Sequence, residues 1–334
     1  MTEALLQAAP RAGSRPGRNR SWSPVLALGI VAVLLTGVVW SWWRGHLGPL
    51  VLRPHCEVRT SARTAALSPA QTGHAATIAL VAVDRDLPAR AASVGIATAM
   101  QESKLRNLRY GDRDSLGLFQ QRPSQGWGTR EQVLDPVYAA NAFYDVLDKV
   151  EGFQNLPITE AAQRVQRSAF PSAYANHEPQ ARAFASALSG YSAATLHCVL
   201  RPPAPLPTER PGASGLTARA RAVAGAARRE TGHRTVEAAS GDGTAVRFRI
   251  RGSEPRRKGW SLAQWAVARA DGLNIVEVTT DGRRWQRARP GARWERGSGA
   301  PVPAGTVLVR VARGEPATDA RSAAGPGYRP SIGM

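Results

Sequence analysis

Apolar residues recur along this chain in three rhythms, and each predicts a different kind of element. From Pro24 to Trp43 the run PVLALGIVAVLLTGVVWSWW carries no charge, and about 20 such residues is the length of a helix that crosses a bilayer. Trp22 at one end and Trp40, Trp42 and Trp43 at the other suit interfacial anchoring. A cleavable leader has a shorter apolar core and a small-residue cleavage site, and none follows Trp43, so an uncleaved transmembrane helix over 24–43 is expected. Further on, helical spacing takes over. Ser68-Pro69 is a cap followed by a first-turn proline, leading into Ala75, Ala76, Ile78, Ala79, Val81 and Val83. Leu87-Pro88 starts a second helix through Ala91, Val94, Gly95, Ile96, Ala99 and Met100. Asp135-Pro136 opens another through Val137, Ala140, Phe143, Tyr144 and Leu147, and residues 159–166 and 178–188 supply two more.

The third rhythm begins after a Pro-rich stretch, VLRPPAPLPTERPGASGL over 199–216, which reads as a semi-rigid linker. Beyond it a helix at 217–231 precedes strand-like runs at 234–239 and 245–250. A helix at 261–270, a strand at 275–279, the turn signal Asp281-Gly282 with Trp285 after it, and a last strand at 307–311 complete the pattern. Mixed helices and strands of this kind predict a small α+β domain over 217–313. The remaining divisions are a basic tail at 1–23, a juxtamembrane linker at 44–55, a mainly helical domain at 56–198 and a disordered tail at 314–334.

Charge sharpens the question of partners. The 334 residues carry a formal net charge of +19, and Lys occurs only at Lys104, Lys149 and Lys258, so nearly all the positive charge is Arg. A biased composition is the bland source; an acidic partner, whether nucleic acid, anionic lipid or cell wall, is the functional one. Arg44, Arg53, Arg59 and Arg63 balance Arg11, Arg15, Arg18 and Arg20, so charge counting leaves the membrane orientation open. A first helix behind a short basic tail usually keeps that tail in the cytoplasm, which would place the domains outside, facing the cell wall.

One carboxylate stands where an apolar helix gives way to a polar loop. Glu102 follows Val94, Gly95, Thr98 and Ala99 at helical spacings and shares their face. Partial desolvation there favours the protonated form that a general acid needs. A solvated Glu at a helix end is the plainer alternative. The sequel changes the balance: Ser115-Leu116-Gly117-Leu118-Phe119-Gln120-Gln121-Arg122-Pro123 follows after a polar loop.

A Glu-Ser pair ending a helix, then a polar loop, then Gly-Leu-Phe-Gln before a proline resembles the lysozyme-like lytic transglycosylase domain, whose usual run is Gly-Leu-Met-Gln. Tyr110 to Trp127, with Asp135-Pro136 and Asn141-Ala142-Phe143-Tyr144, is similar to a group of actinobacterial membrane-anchored proteins carrying that domain. The resemblance implies a mainly α lysozyme-like domain over 56–198 behind one transmembrane helix, with the small α+β domain after it. It implies Glu102 as catalytic acid and base, and a glycan groove lined by Gly117, Leu118, Phe119 and Gln120. Ser103, Gln121, Tyr110 and Trp127 are the further substrate-binding candidates, although Phe119 and Trp127 also read as ordinary core. Tyr174 would match the late Tyr that supports the catalytic Glu. The family's Ala-Tyr-Asn-x-Gly segment is replaced by Ala161-Ala162-Gln163-Arg164-Val165-Gln166-Arg167-Ser168, a departure at the groove's far wall.

Cys56 and Cys198 bracket the lysozyme-like segment. Joined, they would close a loop of about 140 residues, for which the chain-entropy model gives about 5 kcal/mol. Such a bridge suits an extracytoplasmic domain; two unrelated buried thiols are the alternative.

The chemistry implied is cleavage of the β-1,4 bond between N-acetylmuramic acid and N-acetylglucosamine in peptidoglycan. Glu102 would protonate the glycosidic oxygen, the substrate's 2-acetamido group would relieve the oxocarbenium-like charge, and Glu102 as base would activate the sugar's 6-hydroxyl to give a 1,6-anhydro end. If water is activated instead, as in goose-type lysozymes, Asp112 or Asp114 would position it. No cofactor is required and no metal site is expected. His177-Glu178 lacks a second zinc ligand because Ala181 stands four residues on, and the Asp112-x-Asp114 loop has Leu116 and Pro123 at calcium-ligand positions. Ala263-Gln264-Trp265 with Asp281-Gly282-Arg283-Arg284-Trp285 resembles an end domain of some cell-wall hydrolases. Without the metal ligands of its metal-dependent relatives, it reads as a binding or spacer module that could meet anionic wall polymers. The alternatives are a catalytically inactive peptidoglycan-binding scaffold on the same fold and, more distantly, an anchored nucleic-acid-binding protein. No base-reading motif is present, so nucleic acid is not expected as a partner.

Overall fold

Ser68 begins the first helix with a full capping box: its hydroxyl accepts from the Gln71 amide while the Gln71 side chain accepts from the Ser68 amide. This helix, α1 (Pro69–Asp84), belongs to a computed structural model that describes residues 53–60, 64–167, 171–232, 236–287, 293–297 and 302–314. The expected tail 1–23, the apolar run 24–43, most of the linker 44–55 and the tail beyond 314 lie outside the described residues. Helix α2 (Ala89–Ser103) follows Pro88, and a four-residue α3 (Arg130–Val133) leads to α4 (Pro136–Leu147), where Asp135 accepts from the Val137 and Tyr138 amides. Helices α5 (Ile158–Gln166) and α6 (Glu178–Leu188) complete the first half.

Three strands accompany these helices. Antiparallel β1 (His55–Arg59), β2 (Thr64–Leu67) and β3 (Leu196–Val199) pair in the order β2-β1-β3, and Cys56 stands opposite Cys198, to which it is disulfide-bonded. The second half contributes α7 (Ala218–Thr231), α8 (Pro255–Ala268) and a six-stranded antiparallel sheet. Its strands are β4 (Val236–Ala238), β5 (Ala245–Arg249), β6 (Ile275–Thr280), β7 (Arg283–Gln286), β8 (Glu295–Arg296) and β9 (Thr306–Val311), in the order β4-β5-β9-β6-β7-β8. Asp281 and Gly282, both at positive φ, make the two-residue turn between β6 and β7.

The expected class, a mainly helical domain behind a transmembrane helix, is therefore corrected. The described residues form a mixed structure of eight α-helices and two antiparallel sheets with nine strands. No described helix is long and apolar enough to cross a membrane. The strands missed by periodicity are β1, β2, β3, β7 and β8, two to five residues each, too short to establish a period of two.

The described residues from Pro54 onward form one compact unit, and a single buried core runs through both halves. Helix α8 makes the join, contacting α1 and α6 as well as β6 and β9. Gln264, fully buried, accepts from the Thr195 and Leu196 amides and donates to the Ala187 carbonyl. Glu230 of α7 is 4% exposed and accepts from the Thr77 hydroxyl at 2.8 Å and from Trp265 Nε1 at 2.7 Å, with Arg269 at 3.2 Å. These polar groups are satisfied only because both halves supply partners.

Candidate active site

Glu102 is the next-to-last residue of α2, whose buried positions include Val94, Gly95, Thr98 and Ala99. Gly95 allows the close approach of two neighbours: a Cβ there would stand 2.8 Å from the Tyr144 hydroxyl and 2.9 Å from Ile78 Cγ2. That hydroxyl donates to the Ile78 carbonyl at 2.9 Å, joining α4 to α1, and burial pushes its ionisation far above the ordinary tyrosine value. The floor beneath Glu102 is thus three tightly fitted helices.

At its end α2 stops sharply, with Lys104 and Leu105 both in left-handed conformation. Ser103, expected to meet substrate, is buried; its hydroxyl lies 2.7 Å from the Leu118 carbonyl and 3.0 Å from that of Ala99, and accepts from the Arg106 amide. It ties the helix end to the Gly-Leu-Phe-Gln segment. That segment is pinned by the Gly117 amide to the Leu108 carbonyl at 2.7 Å and by reciprocal 3.0 Å bonds between Leu116 and Gln121. Gly117 has φ +77°, and a Cβ would stand 2.3 Å from the Val133 carbonyl oxygen, so only glycine fits.

The side chains of Leu118 and Phe119 are fully buried, Phe119 stacking on Phe143 at 4.6 Å between centroids. They form the floor, and their carbonyls hold the neighbouring elements. Gln121 is likewise buried, donating to the Ala139 carbonyl at 3.1 Å. Gln120 is half-buried, with its amide nitrogen 3.3 Å from the Gly117 carbonyl, and Tyr110 is 72% exposed. Of the expected ligand-facing side chains in this stretch, Gln120 and Tyr110 are the accessible ones.

A 3₁₀ helix at Pro171–His177 brings in the far side. Tyr174 is fully buried, and its hydroxyl donates to Glu102 Oε1 at 2.7 Å, while Glu102 itself is half-buried. His177, one turn later in the same 3₁₀ helix, places Nε2 3.1 Å from Gln101 Oε1; an amide oxygen only accepts, so the ring N–H donates. Burial depresses the His177 pKa. The sequence alone does not reveal this contact, because its only local signal, Gln beside Glu102, is commonplace.

Trp127 is half-buried and lines a groove of about 460 Å³ with Gln125, Gly126, Val146, Gln166 and Arg167. Gln166 donates to the Phe119 carbonyl at 2.8 Å, so the groove wall is fastened to the same segment that Ser103 fastens to α2. The substituted stretch 161–168 thus supplies Gln166 and Arg167 to the groove.

Asp112 is exposed, whereas Asp114 is committed to its own loop. It accepts from Arg122 Nε at 2.8 Å, from the Ser124 amide at 2.8 Å and from the Ser124 hydroxyl at 3.0 Å, and these bonds hold its carboxyl far below the usual range. Among the described residues no group of three His, Cys, Asp or Glu side chains is arranged to hold a metal ion. No protein-family model matches the chain, and no curated protein matches it.

Proposed function

We propose that this protein cleaves the β-1,4 bonds of peptidoglycan glycan strands, with Glu102 as general acid and then base. The observation that carries this reading is the 2.7 Å bond from the buried Tyr174 hydroxyl to Glu102 Oε1, made where α2 meets the Gly-Leu-Phe-Gln segment. Tyr174 fixes the carboxyl's orientation and leaves Oε2 to exchange a proton with the glycosidic oxygen. As the bond breaks, the substrate's acetamido group relieves the developing positive charge, and Glu102 then takes the proton of the 6-hydroxyl that closes the anhydro ring. Both oxygens of Asp114 already accept bonds from Arg122 and Ser124, which favours this single-carboxylate route over one in which Asp114 positions a water. The disulfide supports an oxidising compartment outside the cytoplasm, and the net charge of +19 supports attraction to anionic wall polymers.

A second reading, glycan binding without cleavage, is favoured by one feature: the stretch 161–168, which stands in place of the family's Ala-Tyr-Asn-x-Gly segment, lines the groove through Gln166 and Arg167. Mass spectrometry of purified peptidoglycan incubated with the protein, beside Glu102→Gln, separates the two. Anhydro-ended fragments that vanish in the variant are expected. A folded wild type that binds glycan and releases nothing would leave the binding reading in place of the enzymatic one.

A further inference from the structure

The opposite end of α2 carries a second cluster. A cavity of about 290 Å³ is lined by Ala89, Arg90 and Ser93 where α2 begins, by Arg182 and Ser186 of α6, and by Tyr191 just beyond. Arg90 and Arg182 share one carboxylate, each reaching Glu178 Oε1 at 3.3 Å, so two guanidinium charges face one counter-charge. Arg90 also donates to the Leu156 carbonyl, but its Nε–H is buried with no partner among the described residues. Pro88 provides no side-chain cap for α2, leaving the positive end of a 15-residue helix beside the same residues.

Tyr191 adds a different kind of surface. It is 57% exposed, and the Arg257 guanidinium of α8 lies 4.8 Å over its ring, so an exposed aromatic face is held at the cavity mouth by a residue from the other half of the chain. Arg257 is itself neutralised by Glu254 at 2.7 Å, which leaves the Arg90 and Arg182 pair as the local excess of charge. An ion pair serving stability alone would not require a second arginine, a buried unpartnered N–H or an exposed ring.

We propose that this cavity binds a compact oxyanion, a carboxylate or a phosphate, on a larger molecule whose body lies against Tyr191. A ligand pocket starts near about 300 Å³, so the space takes one charged group and not a length of glycan. At 1.5 Å per residue, Arg90 is about 18 Å along α2 from Glu102, which separates this site from the cutting site. The choice of ligand rests on the wall-glycan reading: a carboxylate would come from a peptide stem, a phosphate from an anionic wall polymer.

The test is titration calorimetry of the full chain with muramyl dipeptide, with sn-glycerol 3-phosphate and with neutral chitobiose, at low and high salt, for wild type, Arg182→Gln and Tyr191→Ala. Both substituted side chains are largely exposed, so the variants keep the fold. One charged probe is expected to bind, chitobiose is not, and each variant weakens binding at least tenfold. Muramyl dipeptide alone identifies stem carboxylates; glycerol phosphate alone identifies polymer phosphate. Failure of both charged probes to bind at millimolar concentration, or unchanged binding in both variants, overturns the site. None of these readouts needs turnover, so a failure here leaves the cleavage reading standing, and an inactive protein that still binds its probe overturns cleavage alone.

Discussion

The Tyr174 hydroxyl lies 2.7 Å from Oε1 of Glu102, 72 residues earlier in the chain. Tyr174 is fully buried while Glu102 is half-buried, so the donor is fixed and the carboxyl is what it orients. A hydrogen bond to a carboxylate contributes about 1.5–3 kcal/mol, which corresponds to roughly tenfold to hundredfold in rate. Tyr174→Phe is expected to lower kcat for muropeptide release by that factor with little change in KM. An unaltered kcat in a folded variant would remove Tyr174 from the site.

Gly95 predicts a stability effect with no chemistry in it. Gly95→Ala would drive a methyl to 2.8 Å from the Tyr144 hydroxyl and 2.9 Å from Ile78 Cγ2, across the bond that joins α4 to α1. Overpacking of this kind destabilises by about 1–3 kcal/mol. Urea denaturation should show a lower midpoint with an unchanged slope.

Glu230 is expected to couple the two halves. Removing its carboxylate by Glu230→Ala leaves Thr77, Trp265 and Arg269 without their shared acceptor, at a cost of about 3–5 kcal/mol for a broken buried pair. In the wild type, tryptophan fluorescence and far-UV circular dichroism should report one coincident transition. Two separated transitions in the wild type would show that the halves unfold independently.

The disulfide predicts dependence on redox conditions. Cys56 and Cys198 are 142 residues apart, and loss of a native bridge removes about 2–5 kcal/mol. Cys56→Ser with Cys198→Ser should unfold at lower denaturant than the oxidised wild type and match the wild type under reducing conditions.

Acidification is expected to destabilise the fold through His74. Its Nδ1 lies 2.8 Å from the Leu105 carbonyl, and burial, followed by the nearby Arg269 charge, lowers its pKa despite the opposing effects of Leu105 and Glu230. A depressed histidine means that the folded form holds fewer protons than the unfolded form, so stability rises with pH and is lost below the ordinary value of 6.5. The urea midpoint should fall between about pH 7.5 and about pH 5.5, and His74→Gln should flatten that slope, leaving the share due to His177, which burial also depresses.

Local signals were legible wherever the cause lies within a few residues. Ser68, Asp135 and Thr217 start helices because their side chains accept amides two or three positions on. Asp281-Gly282 turns because both positions take positive φ. Glu102 could be placed at a helix end beside a polar loop for the same reason. Helix α8 starts six residues before its expected start, at Pro255, because the consecutive charges at Arg256, Arg257 and Lys258 carry no apolar period.

What the sequence by itself determined, then, was the order and approximate ends of the longer helices, the sharp turns and the place of Glu102 at a helix end. The tertiary structure alone decided that Leu118 and Phe119 lie under the site instead of in it, that three short strands gather around the disulfide, and that Glu230 and Gln264 weld the two halves into one core. The physical reason is range. Caps and turns depend on backbone geometry within one helical turn. The bonds from Tyr174 to Glu102 and from Thr77 to Glu230 span 72 and 153 residues and form only when packing has closed the intervening chain.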